Sequence, residues 1–119
     1  MYQPVSFRNL KIASVLNKAI MQLFIKEYSD LSRIISVSEV KVSDNAKNAT
    51  VLIVISKYYN DNVDIIKELN DCSYVIRKAI FNYVQLRYVP RLYFKLDYKF
   101  NYFTKINNFF INENLKDNI

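Results

Sequence analysis

The sequence predicts an α+β domain, a three-stranded sheet carrying helices on one face, in the order α-β-β-α-α-β. Three observations lead there. Residues 86–97, LRYVPRLYFKLD, turn abruptly into strict alternation. Leu92, Phe94 and Leu96 point one way and Arg91, Tyr93, Lys95 and Asp97 the other, the period of a half-buried strand. Pro90 biases Val89 to extended backbone and ends the helix before it. Ahead of this segment, apolar residues recur at helical spacing in three stretches and at strand spacing in two. The chain has 119 residues, 51% of them hydrophobic, which supports one core and not two.

The first helix spans about residues 6–28. Ile12, Leu16, Ala19, Ile20 and Leu23 share one face, Ser6 is placed to cap it, and Arg8, Lys11, Lys18, Gln22 and Lys26 lie opposite. Residues 29–33 read as a linker. The first strand, 34–43, changes phase between Ile35/Val37 and Val40/Val42, which predicts a bulge near Ser38 and Glu39. A turn over 44–48 uses Asp and Asn, and 50–56 forms a central strand with Val51, Ile53 and Ile55 inward. The second helix runs over about 64–72 with Ile65, Ile66 and Leu69 inward and Asp61, Asp64, Glu68 and Asp71 outward. The third runs from Tyr74 to about Leu86, capped by Ser73, burying Ile76, Ile80, Tyr83 and Val84, with Arg77 and Lys78 outward. A last helix over 100–110 and a polar tail over 111–119 complete the reading, so that 1–110 make the domain.

Net charge is +6 and the pI about 9.4, a balance that suits an anionic partner or ordinary surface charge. The charge is blocked. Residues 1–26 hold four basic residues and no acid, 27–71 are net acidic, and 72–105 hold seven basic residues against Asp97 alone. The chain has no histidine and no glycine. That removes the commonest general base and metal ligand, and excludes P-loops, dinucleotide fingerprints, EF-hands and nucleophile elbows. The lone Cys72 excludes an internal disulfide, and no apolar run spans a bilayer. The acidic stripe reads as a solvated face and Cys72 as a small packing residue rather than a nucleophile.

Arg77, Lys78, Arg87, Arg91 and Lys95 are interleaved with Tyr74, Tyr88 and Tyr93. Cations neutralise phosphates and tyrosines stack on unpaired bases, so the set suits RNA. The same residues also fit a half-exposed helix and strand whose tyrosines cover core edges. The order Leu-Arg-x-x-Pro-x-Leu-x-Phe-x-x-Asp, the strand around Ile35–Ser43 followed by Ala49-Thr50-Val51, and the joint around Cys72-Ser73-Tyr74-Val75-Ile76-Arg77 together resemble the ribosome-binding factor A family. The resemblance covers roughly residues 6–110 and implies a single type II KH-like domain, a module that binds RNA.

It further implies a non-catalytic factor of the bacterial cytoplasm. Such a factor binds the immature 30S small ribosomal subunit and assists 16S rRNA maturation near its 5′ end. It works as a monomer, without cofactor, metal or membrane. The implied RNA contacts are Arg8, Lys11, Lys18, Ser73, Tyr74, Arg77, Lys78, Arg87, Arg91 and Lys95. A KH-like domain on another structured RNA, or a protein-interaction domain with an acidic partner, are the alternatives. The chain departs from the family at three places. Cys72-Ser73-Tyr74 stands for an Ala-x-Gly kink, Ser29-Asp30-Leu31-Ser32-Arg33 for Asp-Pro-Arg-Leu-Gly, and Arg91 for a glutamate. At the kink, Ser73 is expected to cap, Tyr74 to begin the helix, and Cys72 to be buried.

Overall fold

The computed structural model describes residues 6–56 and 62–99. The predicted helix over 100–110, the tail and Asp61 lie outside them. The elements are α1 (Phe7–Glu27), α2 (Ser29–Ser32), β1 (Ile35–Val42), β2 (Asn48–Ile55), α3 (Asn62–Asp71), α4 (Ser73–Ile80) and β3 (Arg91–Leu96). Apart from the single turn α2, this is the predicted order. In place of the expected linker, Ser32 N–H reaches the Tyr28 carbonyl at 3.0 Å and its hydroxyl donates to Ser29 O at 2.7 Å, closing that turn.

The amphipathic spacing of α1 does what it predicts. Leu16, Ala19, Ile20, Leu23 and Phe24 are all buried, and the Ser6 side chain accepts the Asn9 N–H at 3.0 Å. The sheet order is β1-β2-β3. β1 pairs antiparallel with β2, and β3 parallel with β2, through the α3–α4 crossover. The bulge falls between Val37 and Glu39. It lets Ile35, Val37, Val40 and Val42 all face the helices, where strict alternation would turn half of them to solvent. Ala49, Val51, Ile53 and Ile55 of β2 and Leu92 and Phe94 of β3 complete the core. Leu96 is half-buried against it and Lys95 is exposed, as alternation requires.

α3 and α4 are separate helices, as expected, but the joint between them is built differently. Cys72 has φ −97° and ψ 6°. Its carbonyl accepts the Ile76 N–H at 3.0 Å, the first bond of α4, so Cys72 itself is the cap residue. Ser73 is therefore the first helical residue and not the cap, and no side chain caps this end. Cys72 is exposed rather than buried, because it lies at the break between the two helices, where it lines an apolar cleft of about 240 Å³ with Phe24, Leu69 and Ile76. Tyr74 is thus the second residue of the helix and not its first, and it is 64% exposed.

α4 is also shorter than predicted. It ends at Ile80 in a turn where Asn82 N–H bonds Ala79 O and Tyr83 N–H bonds Ile80 O. Tyr83 and Val84 still pack on the core, so their apolar spacing marked burial without marking helix. α3 begins at Asn62, two residues early, and ends at Asp71, one early. β2 likewise begins at Asn48, inside the predicted turn.

Candidate nucleic-acid interface

The basic and aromatic residues gather into two adjoining depressions. The first, about 270 Å³, lies between the start of α4 and β3 and is lined by Ser73, Tyr74, Arg77, Arg91, Leu92 and Tyr93. Arg91 and Tyr93 are exposed because the alternation that buries Leu92 and Phe94 turns them outward. Lys78 lies one helical turn after Tyr74, with its ammonium 5.6 Å from that ring centroid. The second, about 480 Å³, lies between the start of α1, the β1–β2 turn and residues 85–88. Arg8, Lys47, Arg87 and Tyr88 line it.

Arg77 joins the two. It is half-buried rather than fully outward as expected. Its Nε–H donates to the Val89 carbonyl at 2.8 Å, and its guanidinium sits 5.1 Å from the Tyr88 ring centroid. It thus fixes the chain that delivers β3 while orienting an aromatic ring beside Arg87. Lys11 and Lys18 stay on the exposed side of α1, and Lys95 on the outer face of β3; none of the three lines either depression. Of the ten expected contact residues, the structure thus brings Ser73, Tyr74, Arg77 and Arg91 together, with Lys78 over Tyr74, and places Arg8 with Arg87.

Three residues that position this surface escaped the sequence. Asn9, buried on α1, donates from Nδ2 to Ser43 O at 3.1 Å and ties the Arg8 end of the helix to the residue just after β1. Lys47 sits in the β1–β2 turn, and its carbonyl accepts the Arg91 N–H at 2.9 Å. Asn70, near the end of α3, bonds both backbone groups of Phe94: Nδ2–H to the carbonyl at 2.9 Å and Oδ1 to the N–H at 2.8 Å. The signal for Lys47 was its charge beside a turn; Asn9 and Asn70 left none.

Of the acidic stripe, Asp64, Glu68 and Asp71 are exposed. Among the described residues, no group of three or more His, Cys, Asp or Glu is placed to hold a metal ion. Among those residues, no helix is long and apolar enough to cross a membrane.

The chain matches the family model for ribosome-binding factor A over residues 8–110. It is 51% identical over 100 residues to the ribosome-binding factor A of Anaplasma marginale, covering 84% of this chain and 86% of that one. Its fold resembles the crystal structure of the Thermus thermophilus factor at TM-score 0.60 and 17% identity, covering 74% of this chain and 94% of that one. It also resembles a homology model of the T. thermophilus factor fitted into the cryo-EM map of a 30S complex, at TM-score 0.51 and 17% identity, covering 76% of this chain and 91% of that one. Match length and identity together place this chain in the ribosome-binding factor A family.

Proposed function

We propose that this protein binds the immature 30S ribosomal subunit in the bacterial cytoplasm, through 16S rRNA, and assists maturation of that RNA near its 5′ end. The observation that carries the reading is the continuous cation–aromatic surface joined by Arg77 and Tyr88, in a chain of this family. Arg91, Lys78 and Lys95 supply phosphate contacts there, with Tyr74 and Tyr93 offering faces to unpaired bases. Arg8, Lys11, Lys18 and Arg87 extend the basic surface, and Ser73 adds a hydroxyl at the α4 start. The relative fitted into a 30S complex supports a small-subunit partner.

The role is binding without catalysis, by a single copy of the chain. Affinity for one rRNA conformation holds that conformation until later assembly steps displace the factor. Co-sedimentation of the purified protein with small ribosomal subunits tests this. Retention on immature subunits, weakened by the Arg91→Gln/Lys95→Gln variant, is the expected result. Equal retention on unrelated structured RNA would favour a general RNA-binding KH-like domain instead.

A further inference from the structure

The cleft at the start of α1 combines features that the basic surface as a whole does not. Its volume of about 480 Å³ falls in the usual range for a site that encloses a small ligand. Three cations reach it from three separate parts of the chain: Arg8 from α1, Lys47 from the β1–β2 turn and Arg87 from the segment before β3. Among the described residues, no carboxylate lines it. Ile12, Leu86 and Ala46 give it an apolar wall, and Tyr88 gives it a ring. Arg77 lines the neighbouring depression and not this one, and its guanidinium sits 5.1 Å from the Tyr88 ring centroid.

The amides add selective polarity. Asn45 Oδ1 already accepts Ser43 Oγ–H at 2.7 Å and Lys47 N–H at 3.0 Å, which leaves its Nδ2 group as the donor it can offer. Gln85 is exposed and offers both a donor and an acceptor. Apolar wall, ring and amides suit the face and edge of a nucleobase; the three cations suit its phosphate. A carboxylate-bearing peptide would use the cations and leave the ring and wall without purpose. A base pair, with backbone on both sides, is too large for a cleft of this size.

We propose that this cleft receives one unpaired nucleotide of RNA, its base against Tyr88 and the Ile12–Leu86 wall and its phosphate among Arg8, Lys47 and Arg87. The inference rests on the RNA-binding reading above and narrows it: at this point the bound RNA is a bulge, loop or end.

The test compares two RNA hairpins with the same stem, one fully paired and one with a single bulged 2-aminopurine. Full-length protein is titrated into each, reading anisotropy and 2-aminopurine emission. The bulged hairpin is expected to bind about tenfold tighter, with its emission quenched by stacking. Arg8→Gln/Lys47→Gln/Arg87→Gln, all exposed side chains, should reduce it to the affinity of the paired stem. Tyr88→Leu should abolish quenching while retaining part of the affinity. Lys18→Gln/Lys95→Gln should weaken both hairpins alike. Equal binding of the two hairpins by the wild-type protein overturns the inference, as does tighter binding of a glutamate-rich peptide than of the bulged RNA. Co-sedimentation with small subunits separates the two failures. Subunit binding without bulge preference removes the cleft inference alone, whereas bulge preference without subunit binding removes the ribosomal reading alone.

Discussion

At the scale of single residues, Ala46 shows what a chain without glycine does in a tight turn. Its φ is 59°, positive, where a Cβ is disfavoured by about 1–2 kcal/mol. Ser43 holds it there: its carbonyl takes the Ala46 N–H at 2.9 Å, and its hydroxyl accepts the Asn48 N–H at 3.1 Å. Ala46→Gly relieves the backbone and gives back part of that gain as unfolded-chain freedom. Urea unfolding should show a net gain of about 0.5 kcal/mol; a lower midpoint would mean the Cβ is not strained.

Tyr83 gives a second residue-scale prediction. It is half-buried, its hydroxyl lies 3.4 Å from Glu27 Oε1, and Lys26 Nζ lies 5.6 Å from its ring centroid. Loss of water around the phenol, then the Glu27 charge and hydrogen bond, raise its pKa above the ordinary 10.0. The folded state thus favours the neutral phenol. Its contribution to stability is complete below the unfolded pKa and is lost as pH rises through the higher folded value. A 13C NMR titration of the Tyr83 Cζ should place its midpoint above the ordinary 10.0. Glu27→Gln should lower it toward the ordinary value. A Tyr83 midpoint at or below 10.0 would contradict this.

Among the elements, those written in local periodicity were readable and those fixed by distant contacts were not. The alternation of Leu92, Phe94 and Leu96 and the phase change at Ser38 and Glu39 gave β3 and the bulge, because a strand's pleat imposes its period on the sequence directly. Leu16, Ile20 and Leu23 gave α1 in the same way. Cys72 and Ser73 misled, because capping depends on which carbonyl takes the first helical bond, and a local sequence does not say. Of the interface, the cations and tyrosines were legible as types. Their division into two depressions was not, since it depends on which distant elements line each one.

Asn70 is the clearest case of a device without local signature. Its partner, Phe94, is 24 residues away. β3 is an edge strand, and the carboxamide makes the two bonds to Phe94 that a further strand would make. Asn70→Ala leaves both Phe94 groups without that partner and should cost about 1–3 kcal/mol by chemical denaturation. Faster hydrogen exchange at the Phe94 N–H should accompany it. Unchanged exchange would show that β3 is held by β2 and its core side chains alone.

Across the whole molecule, the interface cations and the acidic stripe lie on different elements. Arg91 and Lys95 project from β3 and Lys78 from α4, while Asp64, Glu68 and Asp71 project from α3. Phosphate neutralisation releases counterions, so affinity for small-subunit rRNA should fall linearly with salt on logarithmic axes. Lys78→Gln/Arg91→Gln/Lys95→Gln should flatten the slope by roughly one for each phosphate that is no longer neutralised. Arg77 is kept intact in that variant because it also holds Val89. Asp64→Asn/Glu68→Gln should not weaken binding; if it did while the basic variant kept its affinity, the interface would lie on the other face.

The walls of the cleft beside Arg8 are fastened separately: α1 to the end of β1 through Asn9 and the following Ser43, the β1–β2 turn to β3 through Lys47 and Arg91, and the segment before β3 to α4 through Arg77 and Val89. A recess fixed at three corners does not have to be assembled when its ligand arrives. Encounter, not rearrangement, then sets the pace of capture. The observed rate should rise in proportion to RNA concentration without reaching a plateau, and ionic strength should act mainly on that association step. Discrimination among RNAs would then lie in how long each stays.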